Sequence, residues 1–139
     1  MNASSTHLTE QCIPIMSDID VIEARGAARA LATRVGFTGV DPTLIASAVS
    51  EIARNIVEYA GPGEIILSVV WNHLSMGLQV VARDQGPGIA DVSSVMRGVR
   101  TTSRGLGRGL RGSQRLMDEF RVESSLGQGT TITMRKWLP

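Results

Sequence analysis

Several residue types on which other protein classes depend are scarce here. Cys12 is the only cysteine in 139 residues, which excludes an intramolecular disulfide and a cysteine-ligated metal cluster. Lys136 is the only lysine, and aromatic residues make up 4% of the chain. The interleaved aromatics that stack nucleic-acid bases are therefore missing. No apolar run approaches the ~18 residues that a membrane-spanning helix requires. The opening MNASSTHLTE lacks the basic end and apolar stretch of a signal peptide. With a formal net charge of +1, overall charge calls for neither a nucleic acid nor a membrane as partner. The expectation is a cytoplasmic protein.

What is present suits one globular domain. Hydrophobic residues reach 42%, enough for a core built on Val, Ile, Leu, Ala and Met. Residues 1–10 are polar and read as a flexible tail, leaving 11–139 as the domain. Cys12–Met16 reads as a short strand. Ser17 and Asp20 match a capping box for a helix over Asp18–Val35, with Gly36 as its stop. Asp41 is suited to cap a second helix and Pro42 to its first turn. Apolar residues from Leu44 to Ile56 recur there at helical spacing, and the helix should end near Ala60. Strands are expected at Glu64–Trp71 and Gly77–Asp84, a third helix at Leu110–Glu119, and closing strands at Arg121–Ser125 and Thr130–Trp137. Trp71 and Trp137 read as sheet-packing residues. The pattern is α+β: an α/β sandwich with helices on one face of a mixed, mostly antiparallel sheet.

Three constellations carry candidate chemistry. Glu51 and Asn55 lie one helical turn apart on the second helix, with Glu58 near the same face. A carboxylate beside a carboxamide can hold Mg²⁺ and orient a hydroxyl, although for that spacing alone a solvated helix face is by far the commoner explanation. Asp84 closes an apolar strand before Gln85-Gly86-Pro87-Gly88, where two glycines let the backbone turn and approach a ligand. An ordinary turn has the same composition. Gly105-Leu106-Gly107-Arg108-Gly109-Leu110 precedes a helix, and its N–H groups can face an anion. No Walker lysine follows, and the dinucleotide fingerprint is absent. Six arginines lie between Arg97 and Arg115 with no acid among them. The glycines among them argue against one continuous helix, so a lid over phosphates is the better home. A nucleic-acid surface would leave Glu51, Asp84 and the glycines unexplained.

In this order, SEIARNIVEYAG, DQGPGI, GLGRGL and the late GQGTTITM resemble the N, G1 and G2 boxes and the closing strand pair of the GHKL (Bergerat-fold) ATPases and kinases. Within that superfamily the chain is similar to the switch kinases of the stressosome. The resemblance implies ATP and Mg²⁺ as cofactors, Glu51 as catalytic base and Asn55 as the metal ligand. Asp84 would read adenine, and Gly86 and Gly88 would form the nucleotide wall. Arg104, Gly105, Gly107, Arg108, Gly109 and Leu110 would wrap the phosphates, with Thr130 supporting the adenine site. It further implies a serine/threonine kinase acting on STAS-domain stressosome proteins and then activating a serine phosphatase. The alternative is an anti-sigma factor that sequesters a sigma subunit and phosphorylates its antagonist. Two residues depart from the wider pattern: Tyr59 stands where sensor kinases carry a basic residue, and Arg108 where smaller residues are common.

Overall fold

A computed structural model describes residues 10–86, 106–124 and 126–139. The elements run β1 (Gln11–Ile15), α1 (Asp18–Val35), α2 (Asp41–Asn55), a π-helical turn (Ile56–Ala60), β2 (Gly63–Trp71), β3 (Met76–Asp84), α3 (Leu106–Leu116), β4 (Glu119–Ser124) and β5 (Thr130–Trp137). The strands form one sheet in the order β1-β2-β3-β5-β4. Every pairing among the described residues is antiparallel, so the expected mixed sheet is corrected to an antiparallel one. β5, the last strand in sequence, returns between β3 and β4.

The period-2 alternation of the strands decides which face the helices cover. Ile13, Ile15, Ile65, Leu67, Leu78, Val80, Ile132 and Met134 are buried on one face. They meet Val21, Ala24, Ala28 and Leu31 of α1 and Ile45, Val49 and Ile52 of α2 in one core. Each large side chain so buried contributes about 1.5–3 kcal/mol. The opposite face carries Glu64 and Arg83, whose carboxylate and guanidinium pair at 2.9 Å, and Arg135, which donates to Gln79. Trp137 lies across Gly77 on that face, as expected of a sheet-packing residue. Trp71 does not pack on the sheet; at the strand's end it is 44% exposed.

α1 starts as its sequence predicts: the Asp20 carboxylate accepts from the Met16 and Ser17 backbone N–H groups, and Gly36 stops it with φ 123°. Asp41 is the first residue of α2 rather than its cap; Val40 precedes it and no side chain bonds there. A carboxylate in the first turn still complements the helix dipole. α3 departs most from expectation, beginning at Leu106 and ending at Leu116. Arg108, Arg111 and Arg115 therefore share one helix despite Gly107, Gly109 and Gly112. Packing overrides the glycine penalty: Leu110 and Ser113 are fully buried, and the Ser113 hydroxyl donates to the Ala48 carbonyl of α2 at 3.2 Å. Lys136 reaches the other end of α3 and donates to the Leu116 carbonyl at 3.1 Å. Glu119, expected at the end of that helix, opens β4 instead.

Candidate functional site

α2 sets out the first part of the site. Its buried stripe of Ile45, Val49 and Ile52 faces the sheet, and this turns Glu51 and Asn55 outward, each half-buried. Glu51 is not alone there. Its Oε1 accepts from Arg54 Nη1 at 2.8 Å, and Arg54 also reaches the Ser50 hydroxyl at 3.4 Å. Sequence reasoning missed Arg54; the signal was its position three residues after Glu51, one turn along the same face.

Asn55 ends the α-helical hydrogen-bonding pattern, and Ile56–Ala60 continue as a π turn. The wider turn closes when the Gly61 N–H donates to the Ile56 carbonyl. In a continuing α-helix Tyr59 would stack one turn above Asn55; the π turn shifts it off that register. The phenol's pKa is raised by desolvation, by the Glu58 charge and by a hydrogen bond to Glu58.

The side-chain Nδ2 of Asn55 is buried without a partner among the described residues. A buried polar group in that state is completed by something outside the protein far more often than it is left bare. A carboxamide also offers an oxygen, which suits a hard cation. No group of three His, Cys, Asp or Glu residues able to hold a metal exists among the described residues. The Asn55 oxygen could therefore supply one protein ligand to such an ion, its other positions being filled from outside the protein.

Asp84 forms the second part. It is the last residue of β3, in register with Gly63 of β2 and with Thr130 of β5. Its Oδ1 accepts from the Gly86 N–H at 2.9 Å. Burial raises its pKa, while backbone hydrogen bonds from Gly86 and Thr130 pull it down in part. The Thr130 hydroxyl lies 2.8 Å from the Ser124 hydroxyl. Thr130 is 9% exposed, so its side chain is fixed beside the carboxylate.

Two glycines make room for Asp84. A side chain at Gly63 would overlap the Arg83 carbonyl and Ile56 and crowd the Asp84 side chain. At Gly129, which has φ 83°, it would overlap the Asp84 carbonyl. Both escaped the sequence-based list of site residues, because close approach between strands distant in sequence leaves no local signal. A cavity of about 410 Å³ opens at this end of the sheet between Pro62, Gly63, Glu64, Arg83, Asp84 and Gln85. Its Glu64–Arg83 wall lies on the face away from the helices, so the cavity curls around the sheet end.

The Asn55 turn runs directly into β2, so α2's C-terminal end and the Asp84 strand end lie at the same edge of the domain. α3 packs on α2 through Ser113, which places the backbone of Gly107, Gly109 and Leu110 in the first turn of a helix braced on the Glu51 helix. Leu110 itself is fully buried. It therefore serves as a packing anchor, and its backbone is the part suited to an anion. Gly88, Arg104 and Gly105 lie outside the described residues.

An antiparallel sheet with its helices packed on one face is the fold of histidine kinase ATPase domains. The chain belongs to the histidine kinase-like ATPase domain family, which matches residues 17–136. It is 46% identical over 129 residues to the serine/threonine-protein kinase RsbT of Bacillus subtilis, covering 93% of this chain and 97% of that one. It is 33% identical over 108 residues to an anti-sigma F factor of Caldanaerobacter subterraneus, covering 71% and 76%. Among solved structures it is similar to the mycobacterial sensor histidine kinase MprB. The TM-score is 0.58 at 18% identity, over 92% of this chain and 97% of that one, which bears on fold alone. No helix among the described residues is long and apolar enough to cross a membrane.

Proposed function

We propose that this protein is an ATP-dependent serine/threonine kinase that phosphorylates STAS-domain proteins of a stressosome and, once released from them, binds and activates a serine phosphatase in the cytoplasm. The observation that carries this reading is the 46% identity to the serine/threonine kinase RsbT over nearly the whole of both chains. The shorter and weaker match to anti-sigma F factors is consistent with a shared nucleotide site and a different partner.

On this reading Asp84 accepts a hydrogen bond from the adenine amino group. Its two backbone donors, Gly86 and Thr130, hold the carboxylate in one orientation. Asn55 would hold Mg²⁺, which when bound supplies charge neutralisation between the phosphates. The first turn of α3 faces the phosphate chain with its free N–H groups. Glu51 orients the incoming hydroxyl and takes its proton as the oxygen attacks, and Arg54 steadies the carboxylate. Most of the acceleration comes from positioning and charge stabilisation, as in phosphoryl transfer generally.

The test is incubation with labelled ATP, Mg²⁺ and purified STAS-domain proteins, followed by acid treatment and mapping of the phosphosite. A carboxylate base suits an alcohol acceptor, which must lose a proton as it attacks. An acid-stable label on serine or threonine of the STAS protein is expected. A label that is lost in acid, or that appears on this chain alone, would remove the kinase assignment. Capture of a sigma subunit in place of a phosphatase would move the protein to the anti-sigma class.

A further inference from the structure

β4 ends the sheet, and its outer edge is not used by the nucleotide site. The strand order is β1-β2-β3-β5-β4, and among the described residues 119–123 pair only with β5, in a register without a break. Proteins commonly close such edges with a proline, a bulge or a charge turned inward. β4 has none of these: its sequence is EFRVES, and Phe120 and Val122 are the residues turned toward the core. Both pack against the core yet stay half-exposed, because no further strand covers the layer beside them.

The face turned away from the helices says what would pair there. Glu119, Arg121 and Glu123 alternate in sign along it, so they select among strands rather than refuse all of them. Glu119 is already held within the domain: it accepts from the Trp137 indole and lies 3.7 Å from Arg135. Arg121 and Glu123 form no salt bridge among the described residues. Beside Arg121 a cavity of about 350 Å³ opens, lined by Glu119, Phe120, Arg121, Thr133 and Arg135. Two guanidinium groups and a hydroxyl, set against one engaged carboxylate, suit an acidic side chain.

An antiparallel strand laid on β4 puts one side chain opposite Arg121 and another opposite Glu123, where opposite charges stabilise the pair and like charges oppose it. The strand that fits therefore reads basic, apolar, acidic, apolar, with its apolar residues opposite Val122 and Phe120. A second copy of β4 fits less well. The register that pairs Arg121 with Glu123 of the other copy sets Ser124 opposite Phe120, and the register that pairs it with Glu119 sets Asp118 opposite Val122.

We infer that the β4 edge takes an extended segment of a partner protein as an added strand, its acidic residue opposite Arg121 and its basic residue opposite Glu123. Main-chain hydrogen bonds supply the affinity and the order of charges supplies the selection, as in strand addition at other sheet edges. The inference is independent of the phosphoryl transfer proposed above.

The experiment is an amide NMR titration of the isotope-labelled full chain with a blocked peptide, Thr-Lys-Val-Glu-Val-Thr, against a charge-swapped one, Thr-Glu-Val-Lys-Val-Thr. The first is expected to shift the amides of residues 119–123 and to bind about tenfold tighter than the second, a preference that fades at high salt. The chain with Arg121→Glu and Glu123→Arg should reverse the preference and bind ATP as before, since both side chains face away from the core. A second pair of peptides needs no variant. Alternate N–H groups of an added strand face β4, so of two peptides N-methylated at alternate residues one should bind and the other should not. No shift at residues 119–123, equal binding of the charge-swapped pair, or equal binding of the methylated pair overturns the inference. So does self-association of the free chain that Arg121→Glu abolishes, which gives the edge to a second copy.

Discussion

Asp84 is paired in register with Gly63 on one side and Thr130 on the other, so one carboxylate is flanked by an absent side chain and a buried hydroxyl. Gly63 lets β2 and the π turn close around it. Thr130 supplies a backbone donor to it and keeps β5 within reach.

Replacing Asp84 tests the adenine contact. Asp84→Asn removes a charged acceptor while keeping its shape. A hydrogen bond to a charged group contributes about 1.5–3 kcal/mol, so ATP affinity should fall tenfold or more with the fold intact. Calorimetric titration with ATP measures this, and unchanged affinity would remove Asp84 from the site.

The same residue gives a pH signature. Burial raises its pKa above the ordinary 3.8, so its neutral form is favoured in the folded chain. Its contribution to stability is present below that ordinary value and is lost as pH rises through the raised one. Nucleotide binding runs the other way: acidification through the raised pKa protonates the acceptor and weakens ATP. Affinity measured against pH should therefore begin to fall above the ordinary carboxylate range, and the Asp84→Asn chain should lack that step.

Glu51 and Asn55 should separate chemistry from binding. Glu51→Gln is expected to bind ATP and Mg²⁺ normally and to transfer little phosphate, because a base acts mainly in the transition state. Asn55→Ala should instead weaken the Mg²⁺-dependent part of binding. Paired binding and single-turnover measurements distinguish the two. Full transfer by Glu51→Gln would shift the role to another group such as Glu58. Arg54→Ala should change stability by less than about 1 kcal/mol, as exposed ion pairs do.

Gly129→Ala should be costly out of proportion to its size. It places a Cβ at φ 83° against the Asp84 carbonyl, and such strain costs on the order of 1–3 kcal/mol. Lower thermal stability together with weaker ATP binding is expected. A variant of wild-type stability would mean that β5 can shift without disturbing Asp84.

Ser113→Ala removes the bond that ties α3 to the Ala48 carbonyl. A net loss of about 0.5–1.5 kcal/mol is expected from one buried hydrogen bond, because Ala48 keeps its place in the α2 backbone pattern. Chemical denaturation measures it, and a loss of several kcal/mol would mean that α3 detaches as a unit.

The amino-acid sequence by itself determined the elements whose causes are local. The capping box and Gly36 bound α1 almost to the residue, and the apolar spacing of α2 turned Glu51 and Asn55 to one face. Alternation placed β2, β3 and β5 and left Asp84 at a strand end. Tertiary structure alone decided the rest. α3 reaches back through Gly107 and Gly109 because burial of Leu110 and Ser113 outweighs helix propensity. Gly63 and Gly129 matter only because β2 and β5 converge on Asp84, and contacts across that sequence distance leave no periodic trace. Tyr59 leaves the Asn55 face because of one widened turn whose hydrogen bonds composition does not encode, whereas the Arg54–Glu51 pair is local, one helical turn legible in the spacing.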